Sequence, residues 1–100
     1  MRRGEVWEYK PVISRPGQST KRLVLSADGI NQGDLPVVLA VHVVDEDPGG
    51  LLAVRVDPWG WAHLMTLESV MRSRLVERLG AATANDAESV DRALRVALSL

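Results

Sequence analysis

The chain opens with MRRGEVWEYK PVISRPGQST KRLVLS, residues 1–26, and this stretch decides the fold. Residues 5–9 alternate in the manner of a strand, with large side chains on both faces. Residues 11–20 contain two prolines and one glycine, which stop helix formation and end strand pairing. Residues 21–26 begin with two cations and become apolar. The stretch therefore predicts two strands around a flexible basic loop.

Arg22 stands where this loop meets the second strand. A rigid strand end beside a mobile loop is a good position for a charge that must be aimed at a ligand. On residue type alone, however, a surface cation at the end of a strand is the more common role. The functional interpretation predicts that the side chain faces a groove.

Composition predicts one small domain over residues 1–100, with a thin core that pairing with a second copy would enlarge. The absence of cysteine excludes disulfides and zinc–thiolate sites and fits a reducing compartment. The sequence contains no apolar run long enough to span a membrane and no secretory signal after Arg2 and Arg3. We therefore expect a cytoplasmic protein without a membrane partner.

The net charge of -1 argues against an indiscriminate nucleic-acid binder but leaves room for a local basic site. Charge is segregated along the chain, because a group of cations lies before residue 23 and an acidic group lies at residues 45–47. Taken singly, each of these charges is more often a solvated loop residue.

The middle of the chain reads as further strands. Residues 27–36 are rich in Asp, Asn and Gly and predict a long surface loop. Residues 37–44 are almost entirely apolar and β-branched, which predicts a central strand buried on both faces. Residues 51–56 alternate and are predicted to pair antiparallel with that strand. Residues 62–70 predict a half-buried strand.

The end of the chain contains one ambiguous segment and one clear helix. Residues 71–80 fit either a short helix or a turn and a last strand, and the mixed interpretation is one helical turn followed by a strand. Asn85 and Glu88 then form a capping pattern. Apolar residues recur after them at helical spacing over about fifteen residues. The fold class predicted is mainly β with α, a strongly bent antiparallel sheet, closed or nearly so, with a C-terminal helix.

Two segments resemble one known family. The opening Arg2-Arg3-Gly4-Glu5-Val6-Trp7 and the strand Arg22-Leu23-Val24-Leu25-Ser26 are similar to the PemK/MazF family of toxin ribonucleases, as is the tail around residues 72–80 and 90–94. Leu23 replaces the family's proline and one strand residue is missing. The resemblance implies a small SH3-like antiparallel β-barrel with a C-terminal helix. It also implies a homodimeric, metal-independent endoribonuclease that needs no cofactor, cuts single-stranded RNA and is held inactive by a cognate antitoxin peptide.

Candidate catalytic residues follow from the chemistry of RNA cleavage. Attack of the ribose 2′-hydroxyl on phosphorus needs proton transfer and a cation for the charge on the phosphoryl oxygens. The resemblance assigns the cation to Arg22. The family's catalytic Thr or Ser at the end of the central strand is absent, since Val44 and Asp45 stand there. Either His42 or Asp45 supplies the proton chemistry, or cleavage is weak or lost; a lone histidine between valines is more often structural.

Candidate RNA-binding residues are the cations Arg15 and Lys21 and one aromatic side chain. Trp59 and Trp61 flank Gly60 in a predicted turn, so at least one of them is expected at the surface. Exposed aromatic rings beside cations stack unpaired bases. Trp59 is the candidate for a base or partner contact, whereas Trp61 is assigned to the core. The two histidines, His42 and His63, are not spaced as metal ligands, so no metal site is expected.

Two rival functions remain open. The CcdB-type gyrase inhibitors share the implied fold, and residues 61–70 faintly resemble one of their strands, but the chain ends in Leu100 without their terminal aromatic residue. The other rival is a degenerate toxin-like module that binds a protein partner without catalysis. The missing hydroxyl and the slightly acidic net charge support that alternative.

Overall fold

The computed structural model describes residues 1–50 and 52–100. Strands dominate these residues and one long helix follows them, so the predicted class of mainly β with α is confirmed. The elements in chain order are β1 (Glu5–Tyr9), β2 (Lys21–Val24), α1 (Asp28–Asn31), β3 (Val37–Val44), β4 (Ala53–Val56), β5 (Gly60–Met71), a 3₁₀ turn (Arg72–Arg74), β6 (Leu75–Ala81) and α2 (Ala84–Leu98).

The strands form one antiparallel sheet in the order β4-β5-β3-β2-β1-β6. β3 lies inside this sheet, as its continuous apolar run predicts. Within the described residues β4 and β6 are the two edges, so the sheet is open rather than a closed barrel. No helix among the described residues is long and apolar enough to cross a bilayer.

Side chains of the sheet divide between two apolar layers because successive residues of a strand point to opposite faces. In β1, Val6 packs toward α2, whereas Trp7 and Tyr9 pack on the opposite side, which we call the open face. The layer against α2 contains Val6, Leu23, Leu25, Val41, Val43, Val56, Ala62 and Leu64, with Val90 and Ala93 from the helix. The open-face layer contains Val24, Val38, Ala40, Val70 and Leu75, bordered by Met1, Trp7 and Tyr9.

The predicted pairing of residues 51–56 with the central strand is wrong. β4 (Ala53–Val56) pairs with β5, while β3 is already paired on one side with β2 and on the other with β5; residue 51 lies outside the described residues. The turn before β5 brings Val56 directly opposite Gly60. A short turn favours pairing with the next strand in the chain, and that local closure decides the partner.

The predicted loop over residues 27–36 contains the short helix α1. Asn31 at its end is 2 % exposed, and its side-chain amide donates a hydrogen bond to the Ser26 carbonyl oxygen at 2.7 Å. The guanidinium of Arg72 donates to the carbonyl oxygens of Ile30 at 3.0 Å and Leu35 at 3.1 Å. These bonds satisfy backbone groups that an ordinary surface loop leaves to water.

The C-terminal segment follows the predicted order. The mixed interpretation of residues 71–80 is confirmed, since a 3₁₀ turn precedes β6. The helix has 15 residues, but its cap is Thr83 rather than Asn85, because the Thr83 hydroxyl accepts from the Asp86 amide at 3.2 Å. Its apolar stripe reaches the sheet through Val90 and Ala93.

Glu5 ties β1 to β6 and makes the fold sensitive to acid. One of its carboxylate oxygens accepts from Arg78 Nε at 2.6 Å, and the other accepts from the Arg2 amide at 2.8 Å and from Trp7 Nε1 at 3.1 Å. Partial burial raises the pKa of Glu5, but the hydrogen bonds from Arg78, Arg2 and Trp7 outweigh it and hold the pKa below its ordinary 4.5. A lowered pKa in the folded state stabilises the protein above the unfolded pKa, and this stabilisation is lost as pH falls.

We expect Glu5→Gln to lower the free energy of unfolding at pH 7 by about 1–2 kcal/mol, since charge-assisted hydrogen bonds are lost. Because the wild-type carboxylate is protonated in acid, the difference from wild type should shrink below its ordinary pKa of 4.5. Thermal denaturation at a series of pH values measures this, with the exposed Glu77→Gln as the control for simple loss of charge. A constant difference at all pH values would contradict the assignment.

Candidate active site

Arg22 lies at the start of β2 and pairs across the sheet with Trp7 of β1 and His42 of β3. Its Nη1 donates hydrogen bonds to the carbonyl oxygens of Ser19 at 2.9 Å and Lys21 at 3.0 Å. These two bonds join the guanidinium to the end of the basic loop, so its position is fixed by backbone. The side chain is only 2 % exposed.

The expectation that Arg22 faces an open groove is not met, because two side chains cover it. The guanidinium carbon lies 4.2 Å from the centre of the Tyr9 ring. Its Nε is buried without a hydrogen-bond partner, and the nearest carboxylate oxygen, Glu68 Oε1, is 3.6 Å away. Burial lowers the pKa of Arg22 from its ordinary value, while the negative charge of Glu68 acts to raise it. The group remains a cation at neutral pH and still has an unused donor.

His42 joins the same cluster through Glu68. Its Nε2 lies 3.0 Å from Glu68 Oε1, the same oxygen that lies closest to Arg22 Nε. The side chains of His42 and Glu68 are 29 % and 45 % exposed, so solvent reaches them far more than it reaches Arg22. The structure thus brings together Arg22 and His42, two of the three predicted catalytic residues. It adds Glu68 and Tyr9 to them.

An irregularity in β5 places Glu68 in this cluster. His42 pairs with His63, but Ala40, two residues earlier in β3, pairs with Glu68, so β5 carries three extra residues between the two pairs. The Thr66 hydroxyl stabilises this bulge by accepting from the His42 amide at 2.8 Å and donating to the His63 carbonyl oxygen at 2.6 Å. Bulges of this kind re-aim side chains beside functional sites.

Asp45, the third predicted catalytic residue, lies apart from the cluster. Its Oδ1 is 3.3 Å from Lys21 Nζ, which also donates to the Trp59 carbonyl oxygen at 3.2 Å. This pair borders a cleft of about 560 Å³ between residues 17–21 and 43–48. The Ser19 hydroxyl donates to the Val43 carbonyl oxygen at the same place, so a hydroxyl does stand at the end of the central strand, supplied by the loop.

The two remaining RNA-binding candidates occupy different environments. Arg15 is exposed on the basic loop and borders a cavity of about 310 Å³ that Tyr9 also lines. Trp59 is half-buried and packs into the layer against α2, and a Cβ on Gly80 would lie only 2.3 Å from its ring. This packing favours a structural role for Trp59. Tyr9 is the aromatic side chain that the structure places beside the cations.

Sequence reasoning missed Glu68 and Tyr9 for different reasons. The alternation of β1 puts Trp7 and Tyr9 on one face, and pairing of Trp7 with Arg22 puts that face beside the cation. The position of Tyr9 near Arg22 could therefore have been predicted from the sequence pattern. The position of Glu68 could not have been predicted in this way. Regular pairing of β3 with β5 would place Met65 opposite Ala40, and only the bulge brings Glu68 to that position.

Comparison with known proteins supports the fold. No protein-family model and no curated protein sequence matches the chain. An endoribonuclease solved with its cognate antitoxin, from Mycobacterial species, matches with a TM-score of 0.85 at 21% identity, over 100% of this chain and 96% of that one. MazF from Deinococcus radiodurans matches with a TM-score of 0.75 at 23% identity, over 99% and 96% of the two chains.

A third match is the MazE–MazF complex from Deinococcus radiodurans, with a TM-score of 0.77 at 24% identity over 100% of this chain and 96% of that one. These matches cover nearly the whole of every chain compared, and at this level of identity the likeness establishes the architecture. The chain therefore has the MazF fold, an antiparallel sheet followed by a C-terminal helix.

Proposed function

We propose that the chain is the toxin of a type II toxin–antitoxin system and a metal-independent endoribonuclease that cleaves single-stranded RNA. The observation that carries the proposal is the buried guanidinium of Arg22 next to the His42 imidazole, both beside one oxygen of Glu68. A fixed cation with an unused Nε donor suits the phosphoryl oxygens, and a neighbouring imidazole suits proton transfer at neutral pH. The likeness to solved endoribonucleases adds support.

The residues of the cluster take distinct roles in this proposal. His42 accepts the proton of the ribose 2′-hydroxyl as that oxygen bonds to the neighbouring phosphorus. The bond from phosphorus to the 5′-oxygen breaks, and the leaving oxygen takes a proton from water. Arg22 neutralises the charge that builds on the phosphoryl oxygens, and Tyr9 keeps its guanidinium in place. The products are a 2′,3′-cyclic phosphate and a 5′-hydroxyl end.

The RNA strand passes over the open face beside Arg22 and contacts Arg15, which lies on the basic loop and borders the cavity that Tyr9 also lines. Lys21 precedes Arg22 in β2 and therefore points to the other face of the sheet, where it borders the cleft between residues 17–21 and 43–48. In this proposal Lys21 holds the strand where it leaves the open face. Tyr9 offers a ring for stacking in the cavity beside Arg15, which Trp59 does not. We keep Asp45 as a residue that sets the position of Lys21.

The partners proposed are a second copy of the chain and an antitoxin peptide. Solved structures of the same fold include an endoribonuclease with its cognate antitoxin and MazE–MazF complexes. A homodimer would add buried surface to the thin core of a chain of this size. The location proposed is the cytoplasm, in keeping with single-stranded RNA as the proposed substrate.

The test is incubation of the purified chain with a long RNA in the presence of EDTA, followed by analysis of the new ends. We expect cleavage with 5′-hydroxyl ends, and we expect His42→Ala to reduce the rate by about 10²–10⁴-fold, the usual contribution of a proton-transfer group. His63→Ala is the matched control, since it removes an imidazole from the paired strand and leaves the His42–Glu68 contact intact. Equal rates for the two variants would contradict the role of His42.

One observation favours a second function. Arg22 is covered in the structure, which is expected of a toxin-like module that binds a protein without cutting RNA. Absence of RNA cleavage together with gyrase-dependent DNA breakage would indicate a CcdB-type inhibitor. Absence of both activities would leave the non-catalytic binder.

A further inference from the structure

A single carboxylate oxygen occupies the centre of the cluster on the open face. Glu68 Oε1 lies 3.0 Å from His42 Nε2 and 3.6 Å from Arg22 Nε, and that Nε has no hydrogen-bond partner in the described chain. The arrangement places one anionic oxygen between two nitrogen groups on neighbouring strands. Glu68 approaches His42 within hydrogen-bonding distance but leaves the guanidinium donor unused.

A phosphate oxygen would satisfy this site better than the carboxylate does. An oxyanion with tetrahedral geometry presents several oxygens, so one can face Arg22 Nε while another faces His42 Nε2. Arg22 is fixed by its bonds to the backbone of Ser19 and Lys21 and is not free to reach outward. Glu68 is 45 % exposed and is therefore the member of the cluster that is able to move.

Resting on the proposed function, we propose that this cluster is an oxyanion site and that Glu68 is its built-in occupant. The carboxylate must leave before a phosphate group binds, because two anions next to each other repel. Its departure also frees His42 Nε2. Glu68 thus limits the affinity of the chain for the RNA backbone, and the ligand class is a phosphate monoester or diester.

The experiment measures binding rather than cleavage. Wild type and Glu68→Gln are titrated at pH 7 with inorganic phosphate, and separately with a 2′-O-methyl oligoribonucleotide, which lacks the attacking hydroxyl. We expect Glu68→Gln to bind both ligands at least about tenfold more tightly, because the neutral amide does not repel the incoming anion and is displaced from Arg22 more readily. Tighter binding of the oligonucleotide alone places the site on a phosphodiester path, whereas tighter binding of both indicates a site for the phosphate group itself.

Two control variants make the result specific. Glu77→Gln removes the same charge from exposed β6, so an equal gain there would mean a general charge effect and would overturn the proposal. Arg22→Met combined with Glu68→Gln should abolish the gain, since the cation that holds the oxyanion is gone. A gain that persists in the double variant would also overturn it.

Cleavage assays on the same proteins separate this inference from the nuclease proposal. If no variant cuts RNA but Glu68→Gln binds phosphate more tightly, the oxyanion site stands and the nuclease function fails. If wild type cuts RNA and Glu68→Gln is slower without binding either ligand more tightly, Glu68 instead orients His42 and the inference fails.

Discussion

RNA cleavage should fall by about 10²–10³-fold when Arg22 is replaced by methionine, the loss typical of removing one preorganised donor to a developing oxyanion. Methionine keeps most of the aliphatic volume that packs under Tyr9 but carries no charge. It loses the hydrogen bonds to the Ser19 and Lys21 carbonyl oxygens. It also removes a buried cation whose nearest carboxylate is 3.6 Å away.

The same substitution should leave the protein folded. Replacing a buried charge by an apolar side chain of similar volume is often neutral for stability, and Glu68 is exposed enough to remain solvated alone. Cleavage rates measured beside thermal denaturation distinguish the two roles of Arg22. Arg22→Lys is the matched variant, because it keeps a cation without the planar fork and should recover only part of the activity. Full cleavage activity of Arg22→Met would contradict a catalytic role for Arg22.

Replacing Gly60 by alanine should produce a large loss of stability. Gly60 has φ +135°, a backbone conformation that side chains with a Cβ rarely adopt, and an added Cβ would lie 2.2 Å from the Val44 carbonyl oxygen. Strain and overlap together should cost about 3–5 kcal/mol. A domain of this size has roughly 5–15 kcal/mol in total, so the midpoint of thermal unfolding should fall by at least about 12 °C.

Gly49→Ala is the matched control for this prediction. Gly49 also has a positive φ of 84°, but nothing lies within 4 Å of its added Cβ. We expect a cost of about 1 kcal/mol there, which is the backbone term alone. Similar losses at Gly49 and Gly60 would show that the approach of β5 to the end of β3 is looser than described.

The pattern of the chain predicts its elements well but not all of their partners. The valine-rich run of β3 and the alternation of β1 predict these strands correctly, because the pattern of apolar residues within a strand reflects which of its side chains are buried. The predicted partner of β4 was wrong, because the alternation of its side chains is the same whichever strand pairs with it. Thr83 rather than Asn85 caps the last helix, and both residue types are favoured at that position.

The candidate site was predictable in part for a similar reason. Arg22 was singled out by its position at the junction of loop and strand, and its role was assigned by the resemblance to the PemK/MazF family. His42 was a candidate because an imidazole suits proton transfer near neutral pH. Their contact through Glu68 was not predicted, because it depends on the three extra residues in β5 and on the Thr66 hydroxyl that stabilises them. Trp59 was the candidate for a surface contact because of its turn, although it is half-buried and packs over Gly80 against the core.

The local sequence alone determined which segments of this protein form strands and which segment forms the last helix. It also determined that a cation lies at the start of β2. The tertiary structure decided that this cation is covered by Tyr9 and lies beside a carboxylate from a distant strand. The periodicity of apolar residues shows which face of a helix or strand is buried, and a few consecutive residues are enough to reveal it. The neighbours of Arg22 are set by strand order and by one bulge, which exist only after the sheet has formed.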